Sequence, residues 1–170
     1  RGMPLEQLTT LDPPTFEAQL EAGELERYDV IVLDDYAPTV PLPPGRYLTF
    51  GATPPIEGLE EFGTTDAQIV LNSREEHPAM RFVNIDQLYL AQAVLIQPAD
   101  DVEVIVEGSQ GPIVVASSKG GVHTLHVAFD PLESNWPFLR SFVTFIFNAV
   151  DWLGHIGEGL TAEQLVPGQA

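Results

Sequence analysis

The stretch Tyr28-Asp29-Val30-Ile31-Val32-Leu33-Asp34-Asp35 decides how the chain is read. From Val30 to Leu33 aliphatic residues follow one another without a polar break, which predicts a strand buried on both faces, as in a parallel sheet covered by helices. The run stops at Asp34 and Asp35, and the carboxyl ends of parallel strands are where open α/β sheets place their ligands. A pair of acids there can bind a cation or orient a polar ligand; the alternative is that it caps the strand and begins a turn with Tyr36-Ala37-Pro38.

Upstream, residues 5–8 form an extended candidate, and Asp12-Pro13-Pro14-Thr15 reads as a stop followed by the start of a helix over 14–25. Phe16, Leu20 and Leu25 supply its apolar face. Downstream, the proline-rich segment 38–45 cannot be helical and leads into a strand at 46–50. Another strand is expected at 68–71, then a polar loop through His77-Pro78, then a short helix or extended crossing at 85–91. From residue 91 onward four strands are predicted, at 93–97, 102–107, 113–117 and 122–129. Their short turns, Pro98-Ala99-Asp100-Asp101, Gly108-Ser109-Gln110-Gly111 and Lys119-Gly120-Gly121, favour antiparallel hairpins. Val104-Ile105-Val106 is expected to pair with Ile113-Val114-Val115. A strongly apolar helix follows over 136–153, capped by Ser134 or Asn135 and buried on most sides or against a neighbouring domain. Residues 1–153 read as one domain and 154–170 as a linker or tail.

The 170 residues carry 25 acidic and 7 basic side chains, a formal charge of −18. Phosphate backbones and anionic lipids would be repelled, so nucleic acid is excluded as a partner class. With no cysteine, disulfides, thiolate metal sites and thiol nucleophiles are all absent. No apolar run approaches the ~20 residues that span a bilayer; the segment 142–153 is broken by Asn148 and Asp151, so membrane contact is expected only through segments outside this chain. The Arg1-Gly2-Met3 opening predicts a piece of a larger protein.

The histidines are the first place to look for chemistry. His123 and His126 are three apart on a strand, so they point to opposite faces and form no local metal pair. His77 stands in the polar loop Arg74-Glu75-Glu76-His77-Pro78, open to a ligand or acid/base role, and His155 is expected in solvent. A nucleophile elbow at Phe50-Gly51-Ala52-Thr53-Pro54 would need Ser or Cys where glycine and alanine stand. No P-loop or dinucleotide fingerprint is present, and neither a cofactor nor a metal is expected.

Several stretches together resemble one family: 28–34, then Pro44-Gly45-Arg46-Tyr47-Leu48-Thr49-Phe50-Gly51-Ala52, His77-Pro78, Asn84-Ile85-Asp86, and above all Phe129-Asp130-Pro131-Leu132-Glu133-Ser134-Asn135-Trp136-Pro137 leading to Phe142, Asn148 and Trp152-Leu153. This set resembles the class I glutamine amidotransferase-like domain of membrane-anchored bacterial proteins of the BatA type, which also carry a von Willebrand factor A domain. The resemblance implies an α/β fold, a flavodoxin-like parallel sheet flanked by helices, with a β-hairpin insertion at about 91–117 and a first strand missing or abbreviated. It also implies a non-catalytic domain: no cysteine stands at the elbow, and Asp130 occupies the place of the catalytic histidine. Pro131, Ser134, Asn135, Trp136, Pro137 and Trp152 read as a structural corner, and Asp34, Asp35, His77, Asp130 and Glu133 as the ligand-binding candidates.

The expected function is therefore a binding or scaffolding module, in contact with other domains of its own chain, a protein partner, or a second copy through the 136–153 helix. Its parent is expected to be membrane-anchored, with this domain outside the cytoplasmic membrane. The alternative is a hydrolase or sugar-modifying enzyme of the related trehalose-utilisation-like branch, using His77 with Asp34, Asp35 or Asp130.

Overall fold

The computed structural model describes residues 8–169, with side chains described through residue 156. Most of the extended segment expected at 5–8 lies outside the described residues. Helix α1 (Pro13–Glu21) begins as its sequence dictates: Asp12 Oδ1 accepts from the Thr15 N–H at 2.9 Å, and two prolines occupy the first turn, where no helical N–H partner is required. Its Phe16 is buried with Leu25, Leu33, Leu42 and Tyr47.

Eight strands follow: β1 (Ile31–Asp34), β2 (Gly45–Phe50), β3 (Leu59–Thr65), β4 (Val70–Ser73), β5 (Ala93–Pro98), β6 (Glu103–Gly108), β7 (Gly111–Lys119) and β8 (Val122–Val127). Six of them form one sheet in the order β1-β2-β8-β7-β6-β4, and β3 and β5 form a separate antiparallel pair. The β1–β2 and β2–β8 pairings are parallel, whereas β7–β8, β6–β7 and β4–β6 are antiparallel. Residues of β2 and β8 alternate between the two faces of the sheet. Leu48, Phe50, Leu125 and Val127 pack under helix α2 (Arg140–Gln169), while Tyr47 faces α1. The pair β3–β5 closes the same side as α1 through Leu59, Ile96, Val102, Val115 and Ala128.

The flavodoxin-like parallel sheet flanked by helices is thus overturned: the protein is a mixed-sheet structure with two α-helices among the described residues. The crossover from β1 to β2 carries Pro38, Pro41, Pro43 and Pro44, which cannot coil into the covering helix that such a fold requires. The segment read as an insertion at 91–117 instead supplies β6 and β7 to the main sheet. The β6–β7 pairing follows the sequence, with Val104 opposite Val115 and Val106 opposite Val114. Gly120 and Gly121, both at positive φ, make the tight turn from β7 to β8. The turn at 98–101 makes no hairpin, because β5 pairs with β3. Strand β1 lies at the sheet edge, and Val32 is 50% exposed where burial on both faces was expected.

Helix α2 buries Ser141, Phe145, Ala149 and Leu153 at a spacing of four, a single stripe facing the sheet. Val143 and Phe147 stay exposed, so the helix is not covered on most sides. Its backbone is helical to Gln169, across the segment read as a tail. Among the described residues no helix is long and apolar enough to cross a membrane.

Candidate functional site

Because β1, β2 and β8 run parallel, their carboxyl ends open at the same edge of the sheet. β1 ends in Asp34; the Asp35 N–H then donates to the Phe50 carbonyl at 2.8 Å, and the Gly51 N–H to the Val127 carbonyl at 2.9 Å. These bonds carry the parallel pairing one residue past the strands and set Asp35 beside the β2 terminus. Asp35 sits in the left-handed region at φ 52, a conformation that costs a non-glycine residue energy. Its Oδ1 accepts from the Ala52 N–H at 3.2 Å. Gly51, at φ 75, is required here: a Cβ on it would fall 2.3 Å from Asp35 Oδ1.

Asp130 reaches the same edge three residues after β8 ends at Val127. It opens a tight turn over Pro131–Glu133, with Oδ1 accepting from the Leu132 N–H at 3.0 Å. Asp34 has its pKa raised by partial burial and then by the Asp130 charge. Asp35 is raised by burial, by the Asp130 charge, by a hydrogen bond to Asp130 that exists only when one of the two carries a proton, and by Asp34; the Ala52 N–H pulls the other way. The charges acting on Asp34 and Asp35 are all negative. The sheet edge therefore gathers three carboxylates that repel one another, an arrangement suited to hold an ammonium, guanidinium or other hydrogen-bond-donating group. Among the described residues no three His, Asp or Glu side chains are placed to hold a metal ion.

A carboxyl whose folded pKa is raised destabilises the fold where it is ionised, and the penalty fades as pH falls through that raised pKa. Asp35→Asn keeps the acceptor for Ala52 and removes one charge. At pH 7 it is expected to raise stability by about 0.5 kcal/mol, the scale of an exposed charge interaction. In urea unfolding the gain should shrink toward zero near pH 3; a loss of stability at pH 7 would show that Asp35 is held by favourable contacts.

The other predicted site residues lie elsewhere. His77, read as a polar-loop residue open to a ligand or acid/base role, is buried at 6% exposure; its Nδ1 accepts from the Ala79 N–H at 3.0 Å and its ring meets Trp152 edge-on at 4.7 Å. Burial lowers its pKa, and its electrostatic neighbours are Glu103, Arg74 and Glu76, none of them from the acidic edge. Glu133 serves through its backbone, whose carbonyl accepts from the Ala91 N–H at 2.7 Å.

The corner formed by 131–137 is built as a brace. Ser134 Oγ donates to the Pro131 carbonyl at 2.7 Å and accepts from the Trp136 N–H at 3.1 Å. Asn135 does not cap α2, contrary to expectation: α2 starts at Arg140, and the Asn135 side chain ties down the 87–89 segment, accepting from the Tyr89 N–H and donating to the Gln87 carbonyl. Trp136 and Pro137 lie in a 3₁₀ turn ahead of α2.

Two features escaped the sequence reading. Gly51 was weighed only as a missing nucleophile, although a glycine directly after a strand signals a positive φ or a close approach. The other is the complete burial of His126, weighed only for the face it takes, with Nδ1 2.7 Å from Thr49 Oγ1, directly across the β2–β8 register.

No protein-family model matches the chain, and no curated protein matches it. Among solved structures it is similar to the cytoplasmic protein STM3548 from Salmonella typhimurium, with 16% identity, a TM-score of 0.59, and coverage of 76% of this chain and 73% of that one. It is also similar to the cytoplasmic protein STM1381 from Salmonella typhimurium LT2, at 14% identity and a TM-score of 0.55, covering 78% of this chain and 74% of that one. At these identities the likeness speaks for the fold alone.

Proposed function

We propose that this chain is a non-catalytic binding domain of a larger protein, and that its ligand or partner docks a cationic or hydrogen-bond-donating group on Asp34, Asp35 and Asp130. The observation that carries the reading is the convergence of these carboxylates at the shared end of β1, β2 and β8, with every charge acting on Asp34 and Asp35 negative. Such a site destabilises the empty fold and is relieved when a positive group arrives, the trade expected of a binding surface. The absence of cysteine and the separation of His77 from the acids support a role without catalysis.

A membrane-anchored parent of the von Willebrand factor A and BatA type, with this domain outside the cytoplasmic membrane, is part of the proposal and rests on the resemblance of the 129–137 block. The two structural neighbours are described as cytoplasmic proteins and lend that placement no support.

A thermal-unfolding screen against glutamine, other amino acids, polyamines, guanidinium compounds, sugars, nucleotides and divalent cations tests the binding role. A ligand at about 100 times its dissociation constant adds roughly 2.7 kcal/mol of stability. Shifts confined to amine- or guanidinium-bearing compounds are expected; a shift with sugars or nucleotides and none with cationic compounds would refute the assignment.

A further inference from the structure

We propose that the outer stripe of α2 is a self-association surface, on which a second copy of this chain docks its own α2 antiparallel about a two-fold axis. The stripe is Arg140, Val143, Phe147 and Asp151, spaced by three and four residues as in a helix-pairing seam. Val143 is 55% exposed and Phe147 51%, opposite the buried stripe of Phe145, Ala149 and Leu153.

The order of residues selects the occupant. With the axis level with Phe145, Val143 of one copy lies against Phe147 of the other, and within one residue Arg140 lies against Asp151. Asp151 sits 3.5 Å from His155 in its own helix, and its side chain is 43% exposed. The pattern is basic at one end, apolar in the middle and acidic at the other, so it is complementary to itself when reversed. That is the requirement of a closed, isologous interface.

A second feature flanks the stripe. Asn148 Nδ2 donates to the Arg81 carbonyl at 2.7 Å and to the Ala79 carbonyl at 3.2 Å, fastening the 79–82 turn alongside α2. The next residue, Phe82, is held at φ 61 and 90% exposed. A bulky side chain in the left-handed region is a strained arrangement. Here it projects an aromatic ring outward from the turn that Asn148 fastens to α2.

The charge of −18 sets the salt dependence. Two copies repel at low ionic strength, and added salt screens that repulsion while leaving apolar contact intact. Self-association through α2 therefore tightens with salt, whereas docking of cations on the acidic edge weakens.

Sedimentation equilibrium of the whole chain across a concentration series in high salt reads the result. The mass should climb toward twice the 18.6 kDa of one copy. Phe147→Glu should hold it at one copy with an unchanged circular dichroism spectrum. With the series repeated at moderate salt, where ion pairs are only partly screened, Arg140→Asp should weaken pairing, and Arg140→Asp combined with Asp151→Arg should restore it. If Phe147→Glu fails to fold, Val143→Glu decides: Val143 is 55% exposed on the stripe, and pairing as tight as in the parent would overturn the proposal. A single copy at every concentration, or a dimer indifferent to Phe147→Glu in a folded protein, would also overturn it.

Discussion

Acidification from pH 7 to pH 3 is expected to cost the fold about 5 kcal/mol through His126, the product of its pKa depression to about 3 and ~1.36 kcal/mol per unit. His126, on β8, is wholly buried. Its Nδ1 is 2.7 Å from Thr49 Oγ1, and its Nε2 has no hydrogen-bond partner among the described residues. A protonated ring would need two acceptors and finds one, so burial drives the pKa from 6.5 down to about 3. The unfolded chain binds the proton below about pH 6.5 and the folded chain does not, so stability declines as pH falls from there to about 3; above 6.5 the group contributes no pH dependence. The relief of repulsion between Asp34, Asp35 and Asp130 on acidification acts in the opposite direction, so a bare acid titration mixes the two. Urea unfolding of the parent and of His126→Gln at several pH values separates them. The parent should show the steeper loss between pH 6 and pH 4, approaching one proton, or ~1.4 kcal/mol per pH unit. Parallel slopes would mean that His126 is reached by water or by an acceptor in the folded state.

Trp136→Ala is expected to destabilise the protein by about 3–5 kcal/mol, the range for deleting a large buried aromatic. Trp136 is 1% exposed and meets the rings of Phe129, Phe142 and Phe145 at 5.6, 5.3 and 4.9 Å. Its Nε1–H donates to Ser141 Oγ at 2.9 Å, and Ser141 is itself buried. Truncation therefore opens a cavity between β8 and the first turn of α2 and strands a buried hydroxyl. Trp136→Phe keeps most of the packing and loses the hydrogen bond, so its cost should be well under half as large. Denaturant midpoints at constant m-value check both; a loss below about 1 kcal/mol for Trp136→Ala would show that α2 is anchored by the Phe145 stripe alone.

How far the sequence disclosed this protein depended on whether the deciding interaction was local. The helix start at Asp12-Pro13-Pro14-Thr15 and the β6–β7 pairing were legible, since a cap and a glycine-rich turn act within a few residues. Strand β3 was not. No element was read over 59–65, where Glu60, Glu61 and Gly63 leave no apolar run, and only pairing with β5, some thirty residues on, makes it a strand. The 129–137 block forms a hydrogen-bonded corner, but the resemblance it carries implied a parallel sheet that the prolines of the β1–β2 crossover and the antiparallel hairpins do not build. At the site, Asp34 and Asp35 could be named from their place after a strand, and Asp130 only through the resemblance. Their convergence could not, because it depends on β2 lying between β1 and β8. His77 was misplaced because its burial is set by Trp152, seventy-five positions away.

The most direct test of the binding assignment compares the parent with the triple variant Asp34→Asn, Asp35→Asn, Asp130→Asn by thermal unfolding in rising concentrations of agmatine, which presents an amine and a guanidinium without a carboxylate. Asparagine keeps the side-chain acceptors that hold the Ala52 and Leu132 N–H groups, so the edge should stay folded. The account predicts that agmatine raises the melting temperature of the parent and leaves that of the variant unmoved, with the unliganded variant melting higher than the unliganded parent. Equal shifts in the two proteins, or no shift in the parent, would contradict it.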